Sequence, residues 1–541
     1  MAPKEIKLFD TTLRDGSQGE RISFSVEDKL RIAKRLDEFG LHYIEGGWPG
    51  SNPKDLLFFE KAKQIRFKHA KIVAFGSTLR AGNQPEKDAN LRALLHADTP
   101  AVSIFGKSWL LHIETALQIT AEENLNLIES SVAYLKSQAK EVIYDAEHFF
   151  DGYKDNHDYA LQTLLAAEHN GADVLVLCDT NGGTLTAELS QIISDVSQCV
   201  QAPIGIHAHN DSELAVANTL TAVELGCVHV QGTINGYGER CGNANLCSVI
   251  PNLQLKMGYS CVPNKRIPKL TALSNFVSEI ANLSPYSNSA FVGKSAFAHK
   301  GGVHVSAVMK EARTYEHISP AHVGNQRRVL VSDLSGRSNI LYKAKELQVD
   351  LSGGQEKVRD IVQELKELEN LGYQYEAAEG SFKLLIQKKL EDWNDFFQLE
   401  GFRVIIEKNA SGESRSEATI RLNVNGNIEH TASEGNGPVH ALDKALRKAL
   451  EKFYPEIQEM NLADYKVRVL NEKDGTAAKV RVLIDSSANG STWGTVGVSE
   501  NIIDASWQAL MDGFSYYLWE KYKGNIRTAA TEQKAVNFEV V

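Results

Sequence analysis

No two cysteines in this 541-residue chain are spaced to hold a metal or to suggest a disulfide framework. The six (Cys178, Cys199, Cys227, Cys241, Cys247 and Cys261) contain no CxxC, so reduced thiols in a cytoplasmic protein are expected. No apolar run approaches the ~18 residues of a membrane span. The opening stretch 1–7 lacks the apolar segment of a secretory leader, and none is expected. Positive charge is in deficit: 58 Lys+Arg against 69 Asp+Glu leave −11, which argues against a nucleic-acid coat. Neither a nucleic acid nor a membrane is therefore an expected partner. Apolar residues make up 43% and charged residues 23%, ordinary globular values that allow a buried core and argue against global disorder. The length equals three to four domains of ~150 residues, although one α/β barrel can take up to ~250.

What is present is a repeat of element type. Short apolar, β-branched runs occur at Ile6–Phe9, Tyr43–Ile44, Ile72–Phe75, Val102–Phe105, Val142–Tyr144, Val174–Leu177, Ile204–Ile206 and Val228–Val230. They recur at roughly 25–40 residues, the length of a strand plus a returning helix. The intervening segments have helical spacing. Ser25 with Asp28 forms a capping-box pattern ahead of Leu30, Ala33 and Leu36. Leu189, Ile192, Ile193 and Val196 share one face, as do Val216, Leu220 and Val223, with Gly226 as a stop. Continuous apolar runs suit parallel strands buried on both sides, and eight units suggest a closed (β/α)8 TIM barrel over 1–270. A doubly wound open sheet is the alternative.

The second half changes character. Residues 271–400 read as a mainly helical linker subdomain, with a charged, Leu/Val-periodic helix over 355–369, a stop at Gly372, and joints at Ser352-Gly353-Gly354 and Gly380-Ser381. Residues 401–541 read as an α+β domain with strands at Arg403–Glu407, Thr419–Val424, Lys466–Leu470 and Lys479–Ile484, and a hairpin turn at Asn425-Gly426. Residues 417–450 and 477–514 resemble two copies of one unit: a strand, a Gly/Ser/Asn turn region, then a helix (Ala441–Leu446; Ala505–Leu510). Such a module at the end of an enzyme suggests an effector-binding, regulatory domain by fold analogy.

In a barrel, function sits where strands end and βα loops begin. There the chain places Asp10, Thr12, Arg14 and Asp15, then Glu45, Asp145 and Glu147, Asp179 and Thr180, His207 and His209, and the 235–243 loop. His207 and His209, two apart on a strand, point to one side. With Asp15 as a third ligand they could hold one metal and leave open positions for substrate. Two hydrogen-bonded rim histidines are the alternative. Arg14 could stabilise charge developing on a substrate oxygen, or pair with Asp10 or Glu45. Glu147 suits acid/base work or pairing with a cation, and Asp179-Thr180 suits carboxylate binding or a helix cap. Gly236-Tyr-Gly-Glu-Arg-Cys-Gly242 spaces as GxGxxxG, so it is not a dinucleotide fingerprint. His299–His304 is a glycine-rich loop, either a turn or a lid carrying a base. Two histidines and a carboxylate also describe non-haem iron oxygenases, and a non-catalytic amino-acid sensor on a barrel is a further alternative.

The segments DTTLRDGSQ (10–18), HAHND (207–211) and GYGERCGNANL (236–246) resemble the signatures of the DRE-TIM metallolyases, in particular the 2-isopropylmalate, homocitrate and citramalate synthases. EGGWPGSNPKD (45–55) and DAEHFFDGYK (145–154) are most similar to the citramalate synthase branch. The resemblance implies a divalent cation (Mn, Mg or Zn) on Asp15, His207 and His209 with Asn243 as a further ligand, and acetyl-CoA as co-substrate. It implies Arg14 at the 2-oxo acid carbonyl, Thr180 at its carboxylate and Glu147 near the reacting groups. His304 and Tyr315 would complete the site from the linker subdomain of a partner subunit. Pyruvate is the implied acceptor, 2-oxoisovalerate the alternative; a homodimer and an amino-acid effector, isoleucine or leucine, on the C-terminal domain are also implied. The family's usual HESGIH stands here as HKGGVH, with Lys300 and Gly301 in place of Glu and Ser.

Overall fold

A computed structural model of the chain describes residues 4–332, 334–346, 355–390, 393–408, 410–470, 475 and 477–536. Eight parallel strands close in chain order: β1 (Lys7–Asp10), β2 (Tyr43–Gly47), β3 (Lys71–Ser77), β4 (Ala101–Lys107), β5 (Glu141–Glu147), β6 (Val174–Asp179), β7 (Ile204–Ala208) and β8 (His229–Gly232). β1 pairs with β2 on one side and β8 on the other, so no edge remains and the open-sheet alternative is excluded. Each apolar run expected to be a strand overlaps one of the eight. The reason is double burial. Along β1, Leu8 packs with helix residues such as Leu30 and Leu36, while Phe9 packs inside the barrel with Tyr43, Val73, Ile143 and Val176. Both faces of such a strand need apolar side chains.

The helix Val26–Phe39 starts as its sequence predicts. Ser25 Oγ accepts from the Asp28 N–H (3.2 Å), and the Asp28 carboxylate accepts from the Ser25 N–H (3.0 Å). The helix stops at Gly40, whose φ of 101° is left-handed. Its Lys29 is buried and forms an ion pair with Asp55 while donating to the Gly46 carbonyl at 3.1 Å. Asp55 in turn accepts from the Trp48 N–H at 2.9 Å. This buried pair fixes the loop after β2 that carries Trp48.

The chain divides into two compact units, residues 1–297 with 318–327, and residues 298–317 with 328–541. The second unit contains a short parallel pair, β9 (Ala298–His299) and β10 (Arg328–Val329), and helices Gly302–Lys310, Arg337–Glu346, Gln355–Asn370 and Glu379–Leu390. Two antiparallel sheets follow: β11 (Gln398–Lys408), β12 (Ser414–Val424), β13 (Asn427–Gly435), then β14 (Asn461–Val469), β15 (Val480–Ala488), β16 (Ser491–Ser499). Helices Pro438–Leu450 and Ile502–Val536 complete the two halves of the repeat. Three sequence expectations need correction. The turn regions assigned after β12 and β15 each contain a third strand, β13 and β16. Gly380-Ser381 is not a joint but lies inside the helix Glu379–Leu390, where a Cβ on Gly380 would meet the Gly494 carbonyl at 3.0 Å. The stretch 299–304 is not a loop throughout: His299 ends β9 and Gly302 begins a helix. Ser352-Gly353-Gly354 lies outside the described residues. Among the described residues no helix is long and apolar enough to cross a membrane.

Candidate active site

At the C-terminal end of the barrel strands, β1 runs into a tight turn. Asp10, fully buried, accepts from the Thr12 N–H (3.0 Å) and Thr12 Oγ1 (2.8 Å), and Thr12 Oγ1 accepts from the Ile234 N–H (2.9 Å). Asp10 is thus consumed in holding the turn, which presents Arg14 and Asp15 to the barrel mouth.

Asp15, His207 and His209 converge: one ligand atom from each lies within 4.8 Å of the others. Asp15 Oδ2 is 3.6 Å from His207 Nε2 and 3.8 Å from His209 Nε2. These spacings are too long for hydrogen bonds and suit three donors around one cation. Burial would raise the Asp15 pKa, but Arg14 and the two imidazoles outweigh it and hold the group at about 2. Burial pushes His207 down to about 3, and His209 is lowered for the same first reason. At neutral pH the three are one carboxylate and two neutral imidazoles, the protonation state a divalent cation requires. Asn243 joins them through Nδ2, which donates to Asp15 Oδ1 at 3.0 Å, while its Oδ1 is buried with no partner, an acceptor free to ligate. Gly238 and Gly242 make this approach possible. Gly242 has φ 87° and a Cβ there would sit 2.0 Å from the Gly236 carbonyl; on Gly238 it would meet Asn243 Nδ2 at 2.2 Å.

Gln231, which the sequence did not single out, lies behind His207. His207 Nδ1 donates to Gln231 Oε1 at 2.9 Å, and Gln231 Nε2 donates to Asp145 Oδ1 at 2.9 Å. Asp145 also accepts from Ser103 Oγ at 2.5 Å. Burial, then the Glu45 charge, push the Asp145 pKa up to about 7. The chain of bonds places the His207 proton on Nδ1 and leaves the Nε2 lone pair facing Asp15. Replacing Gln231 by Met should weaken divalent-cation affinity about 10- to 100-fold, measured by chelator competition. An unchanged affinity would show that His207 needs no such support. The usable signal was periodicity: Gln231 shares a strand face with His229, as His207 does with His209.

Arg14 spans two carboxylates. Its Nε donates to Glu45 Oε2 at 2.6 Å and its Nη1 to Asp15 Oδ2 at 3.0 Å, with the guanidinium carbon 3.9 Å from the centre of the Phe75 ring. Burial alone would lower its pKa, but Glu45 and Asp15 raise it above the ordinary value. Glu147 forms an ion pair with Lys107. Thr180 Oγ1 accepts from the N–H of His148, a left-handed residue (φ 55°), at 2.9 Å, and the Thr180 carbonyl accepts from Arg240 Nη2 at 2.6 Å. These groups line one cavity of about 230 Å3. The cavity also has an aromatic lining. Trp48 meets Phe75 and Phe105 edge-on, each at 5.7 Å, and the two phenylalanines stack at 5.5 Å. Trp48 Nε1 is anchored on Asn90 Oδ1 at 2.8 Å.

His304 and Tyr315 belong to the second unit. His304 lies in the first turn of the helix Gly302–Lys310, and its exposed ring stacks on Tyr315 with centroids 4.2 Å apart. Lys300, two residues before that helix, donates to Glu376 at 3.1 Å.

Residues 5–277 match the family model described as HMGL-like. Residues 291–372 match the homocitrate synthase post-HMGL domain-like model, and residues 376–518 match the LeuA allosteric (dimerisation) domain. The chain is 60% identical to the (R)-citramalate synthase of Geobacter sulfurreducens, over 95% of this chain and 97% of that protein. It is 57% identical to the (R)-citramalate synthase of Aquifex aeolicus, over 95% and 98%. A probable 2-isopropylmalate synthase of Methanopyrus kandleri is more distant, 30% identical over 94% and 98%.

Proposed function

The chain belongs to the HMGL-like family and, within it, to the (R)-citramalate synthases, and we propose that its barrel mouth joins acetyl-CoA to pyruvate on a divalent-cation site built by Asp15, His207 and His209. The convergence of those three donors carries the reading. A proton leaves the methyl of acetyl-CoA, the resulting enolate carbon bonds to the carbonyl carbon of pyruvate, and water then cleaves the thioester to release citramalate and CoA. When bound, the cation supplies Lewis acidity to the carbonyl and carboxylate oxygens of the 2-oxo acid; the mixed imidazole and carboxylate set suits Mn, Mg or Zn.

The protein groups divide the remaining work. Asn243 offers Oδ1 as a further ligand. Arg14 donates to the oxygen on which negative charge develops. The Thr180 oxygen already accepts from His148, so its hydroxyl proton is left to bind the substrate carboxylate. Glu147, and His304 with Tyr315 from the linker subdomain of a partner subunit, handle protons around the thioester. The C-terminal module, matching an allosteric and dimerisation domain, supports a homodimer whose effector is an end-product amino acid. Isoleucine is the favoured effector, since citramalate feeds its synthesis. Inhibition of thiol release by isoleucine but not by leucine is the expected comparison.

The test is release of free CoA thiol by purified enzyme, stripped of metal and then restored, with pyruvate and with 2-oxoisovalerate. Activity should vanish on stripping, return with the cation, and favour pyruvate. Preference for the branched acid would overturn the acceptor assignment. The packed Trp48, Phe75 and Phe105 wall supports the expected preference, because rings held edge-on and stacked against one another yield little to a branched side chain. Phe105→Ala should shift the ratio of kcat/KM values toward 2-oxoisovalerate by about tenfold or more, the scale expected for two extra methyl groups.

A further inference from the structure

In the second unit, the register of β14 and β15 sets Arg468 directly opposite Arg481. Like charges in that relation destabilise an antiparallel pair unless something neutralises them. Among the described residues Glu369 does so only in part. Arg481, half-buried, donates through Nε to the Gly372 carbonyl at 2.5 Å and through Nη1 to Gln374 Oε1 at 2.7 Å, both uncharged acceptors. Among the described residues no carboxylate forms an ion pair with Arg468, Arg481 or Lys366. These three and Lys300 line a cavity of about 680 Å3 together with Glu369 and Glu376, and Glu376 is already held by Lys300 at 3.1 Å. Among the described residues four cations thus face two carboxylates, in a chain whose net charge is −11.

The cleft is built rather than accidental. Gly372 has φ 112°, and a Cβ there would lie 2.2 Å from Leu470 Cδ1, so only glycine lets the 372–374 turn lie on the β14–β15 pair. That turn supplies the two neutral acceptors that fix the Arg481 guanidinium, and among the described residues no acceptor takes Nη2. Burial, and then the facing Arg468, lower the Arg481 pKa, with Glu369 opposing in part; a bound anion would relieve both effects.

We propose that this cleft binds a phosphate-bearing small molecule carrying two or more negative charges. A phosphate offers oxygens in three dimensions, so two guanidinium groups and an ammonium can each reach one, whereas a planar carboxylate satisfies a single fork. The proposal does not rest on the condensation chemistry.

The test is isothermal titration of the full-length protein, with divalent cation and pyruvate in excess so that the barrel mouth is filled. Inorganic phosphate and ADP are the probes, and malonate is the dicarboxylate control. Saturable binding of phosphate or ADP is expected, weakened about tenfold or more by either Arg468→Glu or Lys366→Glu. Both residues are exposed, and among the described residues neither forms an ion pair. Tighter binding of ADP than of phosphate identifies a nucleotide, and the reverse a free oxyanion. Malonate binding as tightly as phosphate, no binding below about 10 mM, or binding that survives both charge reversals would each overturn the proposal.

Discussion

Changing His209 to Ala removes bound cation and turnover together. Its Nε2 is one of three donors around the cation position, and its Nδ1 has no partner among the described residues. The imidazole therefore contributes little hydrogen bonding to the folded apoprotein, and its loss falls on the metal. Asp15 and His207, with Asn243 Oδ1 beside them, lack the second imidazole that closes the site. Metal content after gel filtration should fall to background, and turnover by about a thousandfold or more, because the electrophilic stabilisation lost is several kcal/mol. The melting temperature of the metal-free variant should stay close to that of the metal-free parent. Full turnover without a cation would end the proposed chemistry. Full cation content with no turnover would instead assign His209 a role at the substrate.

The barrel was legible because its physics is local. A strand buried on both sides must be apolar at successive positions, and Val174–Leu177 or Ile204–Ile206 can be read that way without knowing their neighbours. Capping is local too, so Ser25 with Asp28 marked the start of a helix. The third strand of each C-terminal sheet was harder. β13 buries only Thr431 and exposes most of its length, and β16 carries Gly494 and Gly497, so both read as turn regions. Those glycines are there for close packing, not for bending: a Cβ on Gly497 would lie 2.0 Å from the Ala505 carbonyl. The helix bearing His304 was hidden for a similar reason. Two glycines at its start looked like a loop, whereas Gly302 is there because the backbone of Gly336 approaches to 2.8 Å of where a Cβ would be.

At the site, the sequence supplied candidate ligands but not their supporting bonds. His207 and His209 follow from strand alternation alone, and Asp15 from its place after β1. Nothing in one sequence indicates that Gln231 and Asp145 come together across 86 residues, because that bond depends on barrel closure. Asp10 and Glu45 are strand-end acids like Asp15, read in the sequence as partners for Arg14. The structure separates them by what they accept: Asp10 takes two bonds from Thr12, and Glu45 takes Thr11 and Arg14.

Arg14→Lys should lower kcat by about a hundredfold or more while cation content stays at the parental level. The reasoning starts from geometry. A guanidinium can place Nε on Glu45 and Nη1 on Asp15 at once, lie flat on Phe75, and still present a donor to the cavity. An ammonium is a single point. It can answer the buried Glu45 or the developing charge on substrate, not both, and it cannot stack. Glu45 would hold it, since that carboxylate has no exposed surface, has Oε1 unpartnered, and has a pKa already raised by burial. The lysine would thus be drawn away from the substrate oxygen. Asp15 keeps its bond from Asn243 Nδ2 and its place beside the imidazoles, so the cation should remain. A drop in kcat with little change in KM for pyruvate would mark an interaction made in the transition state. Parallel loss of cation would instead mean that Arg14 acts only by keeping Asp15 ionised, and its assignment to the substrate carbonyl would fall.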